Sequence, residues 1–338
     1  MKIVILGFDG CLPSAVVGLL DMFELAEYAV ARSSLPDGRA NQAMPTWQVT
    51  TASVDGRPLT DARGRALAVD AAVPDIDRCD AVLVPGLIPG SDGLPRRSPA
   101  MRQVGAWLRS QHAHGAIIGG TCAGVFVLGE AGLLDGRRCT TTWWLQDELK
   151  VRYPKADFIW GSALLDDKRV VSVGGPLSWV DLALHIIRRI AGPEAARLTA
   201  DFAVTDNTPL SQTAYAPNGY VNSRDPFLLE VEHAIRRTRD TLTIGELARA
   251  LATSERTLHR RLKGLVGESP KIFITRVRLE TARVLLEDRA VSVKRIAQHS
   301  GYSDESSFRR AFTRFTGLSP AAYRDWIRQR YTSANPLP

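Results

Sequence analysis

Paired cysteines are missing from this sequence. Its four, Cys11, Cys79, Cys122 and Cys139, lie far apart with no C-x-x-C spacing. That argues against a disulfide framework or a structural zinc site and suits a reducing compartment. No metal ion and no cofactor is expected. A long hydrophobic run is absent as well. The longest uncharged stretch, Ser110–Gly129, is broken by Gln111, His112, His114 and five glycines, too polar to cross a bilayer. The apolar start Ile3–Leu6 meets Asp9 too early for a signal-peptide core and reads as a first buried strand. A soluble cytoplasmic protein with no membrane partner is expected. What is present is ordinary globular composition. The 338 residues are 45% hydrophobic and 23% charged, enough for two or three domains that each bury a core.

Charge is unevenly spread. The chain carries a net +7, but from Arg224 onward 22 Lys and Arg face only 13 Asp and Glu. A nearly neutral body thus carries a basic module. Such asymmetry is the electrostatic footprint of a nucleic-acid-binding module, although basic surfaces also serve membranes and acidic partners.

The basic module contains an internal repeat. Thr243–Pro270 resembles Ser292–Pro320, with an offset of 49 at Leu247-Ala248 against Ile296-Ala297 and of 50 at the Gly-x-Ser-Pro ends. Each copy reads as two short helices joined by a tight turn. In the first, Thr243 and Glu246 make a capping box, and Ser254 caps a second helix with an apolar stripe at Leu258, Leu262 and Leu265. Arg256, His259, Arg260 and Lys263 fall on another face. In the second copy, Ser303 or Asp304 caps a helix whose buried stripe is Phe308, Ala311, Phe312 and Phe315. Ser306, Arg309, Arg310 and Thr313 share a different face, with Arg314 beside it. One such helix would be an ordinary solvated surface. Two copies of the same pattern fit successive major grooves, where Arg pairs with guanine and Ser or Thr contacts bases or phosphates. Lys271–Glu287 reads as a rigid helical connector between them.

These residues, above all the run Ile296-Ala297 … Gly301-Tyr302-Ser303-Asp304-Glu305-Ser306-Ser307-Phe308-Arg309-Arg310-Ala311-Phe312 … Gly317-Leu318-Ser319-Pro320, make residues 224–330 resemble the tandem helix-turn-helix domain of AraC/XylS-type bacterial transcription regulators. The resemblance implies a double-stranded DNA operator as partner, a homodimer, and RNA polymerase as a further partner if the protein activates, which is commoner in that family. It also implies bacterial cytoplasm, with nucleoid association when bound to DNA.

In the body, short apolar segments alternate with helical ones. Candidate strands are Lys2–Gly7, Trp47–Ala52, Ala81–Pro85, Ala116–Gly120 and Val170–Val173; candidate helices include Pro99–His112, Trp144–Val151 and Val180–Ile190. That alternation predicts an α/β fold with a mostly parallel, flavodoxin-like sheet covered by helices, followed by an all-α domain of two helix-turn-helix units. The run Gly119-Gly120-Thr121-Cys122-Ala123-Gly124 puts a cysteine at an abrupt strand-to-helix turn, the pattern of a nucleophile elbow, although a small buried cysteine is the plainer reading.

Together with Pro85-Gly86, Ala131–Arg138 followed by Thr140-Thr141-Thr142-Trp143, and Gly174-Gly175 before Asp181–Leu184, the elbow makes residues 1–190 resemble the PfpI/DJ-1 superfamily, related to class I glutamine amidotransferases. The whole chain is similar to the GlxA-type group, which fuses this domain to an AraC-type reader. Residues 191–223, with Pro193, Pro209 and Pro217, are expected to be a partly extended linker, and 331–338 a tail. Catalytic relatives pair the elbow cysteine with a histidine and an acid. Here the histidine's place is Thr142 and the acid's is Ser14, with Asp9 nearby as a substitute. A thiol without a base or neighbouring cation is a weak nucleophile near neutral pH. No catalytic residue is therefore expected, Cys122 being a vestige. The body is expected to bind a small-molecule effector through Cys122, Thr121, Ala123, Gly86, Thr142, Trp143 and Pro176, with Ser14 and Cys11 at the rim. The alternative is an active cysteine hydrolase, hydratase or amidase fused to a DNA-binding module.

Overall fold

Ile3, Val4, Ile5 and Leu6 are apolar in succession, as suits a short strand covered on both faces, and all four are buried. The structure, a computed structural model, describes residues 1–32, 46–88, 99–207, 209, 211–215, 226–238, 242–288 and 290–332. In chain order the first part comprises β1 (Lys2–Leu6), α1 (Pro13–Arg32), β2 (Gln48–Ser53), β3 (Leu59–Thr60), β4 (Ala66–Leu67), β5 (Ala71–Ala72), β6 (Ala81–Val84), α2 (Pro99–Gln103) and α3 (Gly105–Ala113). β7 (Ile117–Thr121), α4 (Val125–Glu130), β8 (Arg138–Cys139), α5 (Gln146–Arg152), β9 (Asp157–Phe158), β10 (Leu164–Asp167), β11 (Val170–Val173), α6 (Trp179–Ala191) and α7 (Pro193–Phe202) complete it. Seven strands form one sheet in the order β10-β11-β7-β6-β1-β2-β5. Every pairing in it is parallel except β10 with β11. This is the flavodoxin-like sheet expected from the alternation.

β1 pairs with β2 on one side and β6 on the other, so the winding reverses there. In open α/β sheets the crevice outside the carboxyl ends of such strands is the usual ligand site.

Two expectations need correction. Pro99–His112 is not one helix: α2 and α3 meet at Val104, whose amide still bonds Ala100 O at 3.3 Å. The linker does not begin as an extended segment at 191 either. Gly192 takes φ 93°, which L side chains rarely adopt, and Pro193 then starts α7. α7 packs on α1 and α6, burying Ala195, Ala196, Thr199 and Ala200. The first compact unit accordingly runs from Met1 to Pro209. The later part of the expected linker, 216–223, lies outside the described residues, as does 333–338 of the expected tail.

The second unit, Leu210–Pro338, is helical among its described residues: α8 (Pro226–Arg237), α9 (Ile244–Ala250), α10 (Glu255–Val266), α11 (Pro270–Glu287), α12 (Val293–His299), α13 (Glu305–Thr316) and α14 (Pro320–Thr332). The internal repeat is visible in its caps. Ser254 Oγ accepts the Thr257 amide at the start of α10, and Asp304 Oδ1 the Ser307 amide at the start of α13. Gly267 and Gly317, both left-handed at φ 72° and 82°, end those two helices. Each copy has its own core. Phe273, Ile274 and Val277 of α11 join the first, and Leu279, Ala282 and Leu286 of the same helix join the second. At a rise of about 1.5 Å per residue the continuous α11 is about 27 Å long.

Candidate functional site

At the carboxyl end of β7 the chain turns at once into a short 3-10 turn, Cys122–Gly124, and then α4. Cys122 has φ 51°, a left-handed conformation that costs a non-glycine residue about 1–2 kcal/mol. The surrounding glycines allow close approach rather than openness. A Cβ on Gly124 would lie 2.5 Å from Pro85 O, and one on Gly86 would lie 3.4 Å from the Cys122 Cβ. Thr141 Oγ1 donates to Cys122 O at 2.7 Å, tying the threonine run to the elbow.

The result is a sealed site. Thr121, Ala123 and Thr142 are 0% exposed and Cys122 is 2% exposed. The Thr121 and Thr142 hydroxyls have no hydrogen-bond partner among the described residues, an arrangement that costs roughly 1–3 kcal/mol per group. Burial pushes the Cys122 thiol up to about 12, with the Ala123 amide pulling weakly the other way. Of the remaining residues expected to line a ligand pocket, Trp143 and Pro176 are half-buried, Ser14 is exposed at the start of α1, and Cys11 is buried beneath the turn after β1. Burial, then the neighbouring Asp61 and Asp9, lift the Cys11 thiol to about 11.

No histidine of this unit serves Cys122. His112 Nε2 bonds Lys168 O at 2.8 Å, His114 Nδ1 bonds Ser110 O at 2.8 Å, and His185 Nε2 bonds Asp166 at 2.9 Å. Asp9, the acid nearest the first strand's end, accepts the Thr60 amide at 2.8 Å.

Sequence reasoning missed an open cleft on the other side of β1. About 920 Å³ in volume, it is bounded by the turn after β1, the β3–β4 hairpin, the segment after β6 and α2. Asp9 was the one pointer to it. Its other walls lie about 45 to 95 residues away in sequence.

In the second unit the nine residues expected to meet DNA all lie on the solvent side of two helices. Arg256, His259, Arg260 and Lys263 are exposed on α10, and Ser306, Arg309, Arg310, Thr313 and Arg314 on α13. Arg256, Arg260 and Arg314 have no side-chain partner among the described residues, whereas Lys263 caps Gly267 O at 2.9 Å, Arg309 pairs with Glu305 at 2.5 Å and Arg310 donates to Ser307 Oγ at 3.0 Å. One expectation about the apolar stripe is corrected. Leu265 is 38% exposed, and Val266 takes its place beside Leu258 and Leu262. The buried stripe of a 3.6-residue helix shifts to the next position along its length. Among the described residues no group of acids, histidines and cysteines has metal-site geometry, and no helix is long and apolar enough to cross a membrane.

A family model for the DJ-1/PfpI family matches residues 13–189, and one for a helix-turn-helix domain matches residues 247–325. The HTH-type transcriptional regulator CdhR of Pseudomonas aeruginosa is 29% identical over 293 residues, which cover 86% of this chain and 84% of that protein. The HTH-type transcriptional regulator GlxA of Rhizobium meliloti is 26% identical over 314 residues, covering 90% and 94%. A solved structure of a putative transcriptional regulator from Vibrio parahaemolyticus covers 60% of this chain and 98% of its own, with a TM-score of 0.49 and 20% identity.

Proposed function

This chain belongs to the DJ-1/PfpI family and carries a helix-turn-helix domain, and from that we propose a DNA-binding transcription regulator whose α/β unit senses a small molecule without catalysing a reaction. The observation that carries the reading is the repeated cationic helix. α10 and α13 share their N-caps, their glycine C-caps and an exposed row of Arg, His, Lys, Ser and Thr opposite a buried stripe. Rows of this kind supply both phosphate contacts and base readout in the major groove. The protein acts in the cytoplasm as a homodimer on a duplex operator with two long half-sites and, as an activator, meets RNA polymerase. Effector binding shifts the population between arrangements of different DNA affinity.

A non-catalytic α/β unit follows from the thiol. A Cys122 thiol lifted to about 12 stays protonated at neutral pH, and protonated thiols are not nucleophiles. The left-handed backbone kept at Cys122 is the one feature favouring a cysteine hydrolase, hydratase or amidase. For the DNA reading, titrating Arg260→Ala and Arg310→Ala against matched and mismatched operators is decisive. Each is expected to lose about 1–3 kcal/mol on the matched duplex only. Equal losses on both duplexes would reduce these arginines to phosphate contacts.

A further inference from the structure

The chain that joins the two units does more than span them. We propose that Thr213 and Tyr215 are positioning residues for DNA reading: the segment Ser211–Tyr215 holds the second reader helix, α13, and not the first, α10. The assignment rests on the regulator reading above.

The first unit ends at Pro209. The next described residues form a short 3-10 turn, Gln212–Ala214, whose Thr213 amide is capped by Ser211 Oγ. A plain spacer would be solvated, yet Gln212 and Thr213 are 6% and 2% exposed, and the turn packs on α13. Thr213 Oγ1 donates to Phe315 O at 2.6 Å, across 102 residues of sequence. That carbonyl is one of the last four of α13, which an α-helix leaves without a partner of its own. Because the one hydroxyl hydrogen of Thr213 goes to Phe315, Ser211 Oγ donates to Thr213 Oγ1 at 2.8 Å and holds the cap in place.

Beside the cap, Tyr215 meets Trp326 of α14 edge to face, with ring centroids 5.5 Å apart. The stack continues through Tyr323 at 5.6 Å to Phe312 at 5.3 Å, and Phe312 lies fully buried on the inner face of α13. Aromatic pairs of this geometry hold together beyond the area they bury. The segment therefore grips α13 twice, at its carboxyl end and, through α14, on its buried face.

Among the described residues the first copy has neither grip. Fifty residues before Trp326 stands Arg276, whose guanidinium is committed to Glu268 and Glu280. Leu265, the counterpart of Phe315, is 38% exposed. α10 is closed instead by its own Lys263, on Gly267 O at 2.9 Å, and the second copy has the shorter Thr313 at that place. A pull on the chain at Pro209 thus loads α13 before α10.

The test uses the full chain and the DNA upstream of its own gene, with hydrogen exchange and duplex titration as readouts. Thr213→Val keeps the side-chain volume but strands the Phe315 carbonyl, Tyr215→Ala removes the ring, and Thr213→Ser retains the donor. In Thr213→Val and Tyr215→Ala, amides of α13 and α14 should exchange faster while those of α9 and α10 are unchanged. Affinity for the matched duplex should fall about fivefold or more. The penalty for mismatches in the groove whose protection Arg310→Ala erases should shrink by a similar factor, while the penalty in the Arg260 groove is kept. Thr213→Ser should match the wild type in every readout. Unchanged exchange in α13 and α14, faster exchange with unaltered DNA binding, or equal shrinkage of both mismatch penalties would each overturn the assignment. A wild-type chain that prefers no duplex would instead fail the regulator reading and take the assignment with it.

Discussion

Replacing Gly301 with alanine probes the helix-turn-helix geometry at one atom. Gly301 has φ 71° in the turn between α12 and α13, and Ala252, 49 residues earlier in the first copy, holds the matching place with φ 49°. Both turns close the same way: Ala252 and Gly301 amides bond Arg249 O and Gln298 O at 3.0 Å, and the next amides bond Ala248 O and Ala297 O at 2.9 and 3.0 Å. In Gly301→Ala the left-handed backbone costs about 1–2 kcal/mol. The new Cβ would also collide with the Arg278 guanidinium, displacing a bond from Arg278 Nη1 to Gly301 O of 3.2 Å and adding about 1 kcal/mol. The total is about 2–3 kcal/mol. Ala252→Gly reverses the first term and loses about 0.5–1 kcal/mol to glycine's freedom in the unfolded chain, leaving a gain of about 0–1.5 kcal/mol. Hydrogen exchange read peptide by peptide separates the two copies. Amides of α12 and α13 should exchange about 30-fold to 160-fold faster in Gly301→Ala, while α9 and α10 are unchanged. Equal effects of the two substitutions, or exchange spread evenly over both copies, would refute the shared turn geometry.

Other outcomes follow from buried ionisable groups. Burial lifts all four thiols, Cys11 to about 11 and Cys79, Cys122 and Cys139 to about 12. Iodoacetamide should therefore label none of them faster than free cysteine at neutral pH; one rapidly labelled thiol at Cys122 would restore the catalytic alternative. Burial also lifts the Asp181 carboxyl to about 6, Ser178 opposing and Asp206 adding to the rise. A carboxyl whose folded value exceeds its unfolded one binds protons more tightly when folded, so stability falls as pH rises from about 4 to about 6. Asp181→Asn should then raise stability at neutral pH, by an upper limit of about 3 kcal/mol, and leave it nearly unchanged near pH 3; a melt showing the opposite pH trend would contradict this.

Much of the architecture was legible because its determinants are local. Strand–helix alternation, the Ser and Asp caps, and glycines after a periodic stripe all act within a few residues. The places where reading fell short depend on distant packing. Pro193 looked like a linker signal, yet proline at the first position starts a helix well, and only the partners α1 and α6 decide that α7 is held. Gly86, Gly120 and Gly124 mark where β6, β7 and α4 approach most closely. What stayed hidden there was how completely that approach seals Cys122. Asp9 and Asp61 meet across one cleft only because the β3–β4 hairpin folds back over the turn after β1.

Footprinting the full chain on the DNA upstream of its own gene, at moderate ionic strength and with any effector supplied, measures the role of α10 and α13 most directly. Protection should cover consecutive major grooves on one face of the duplex, about 34 Å apart within each half-site, and Arg260→Ala and Arg310→Ala should each erase one groove's protection. Affinity indistinguishable from that for a scrambled duplex of equal length would contradict the assignment of these helices as readers.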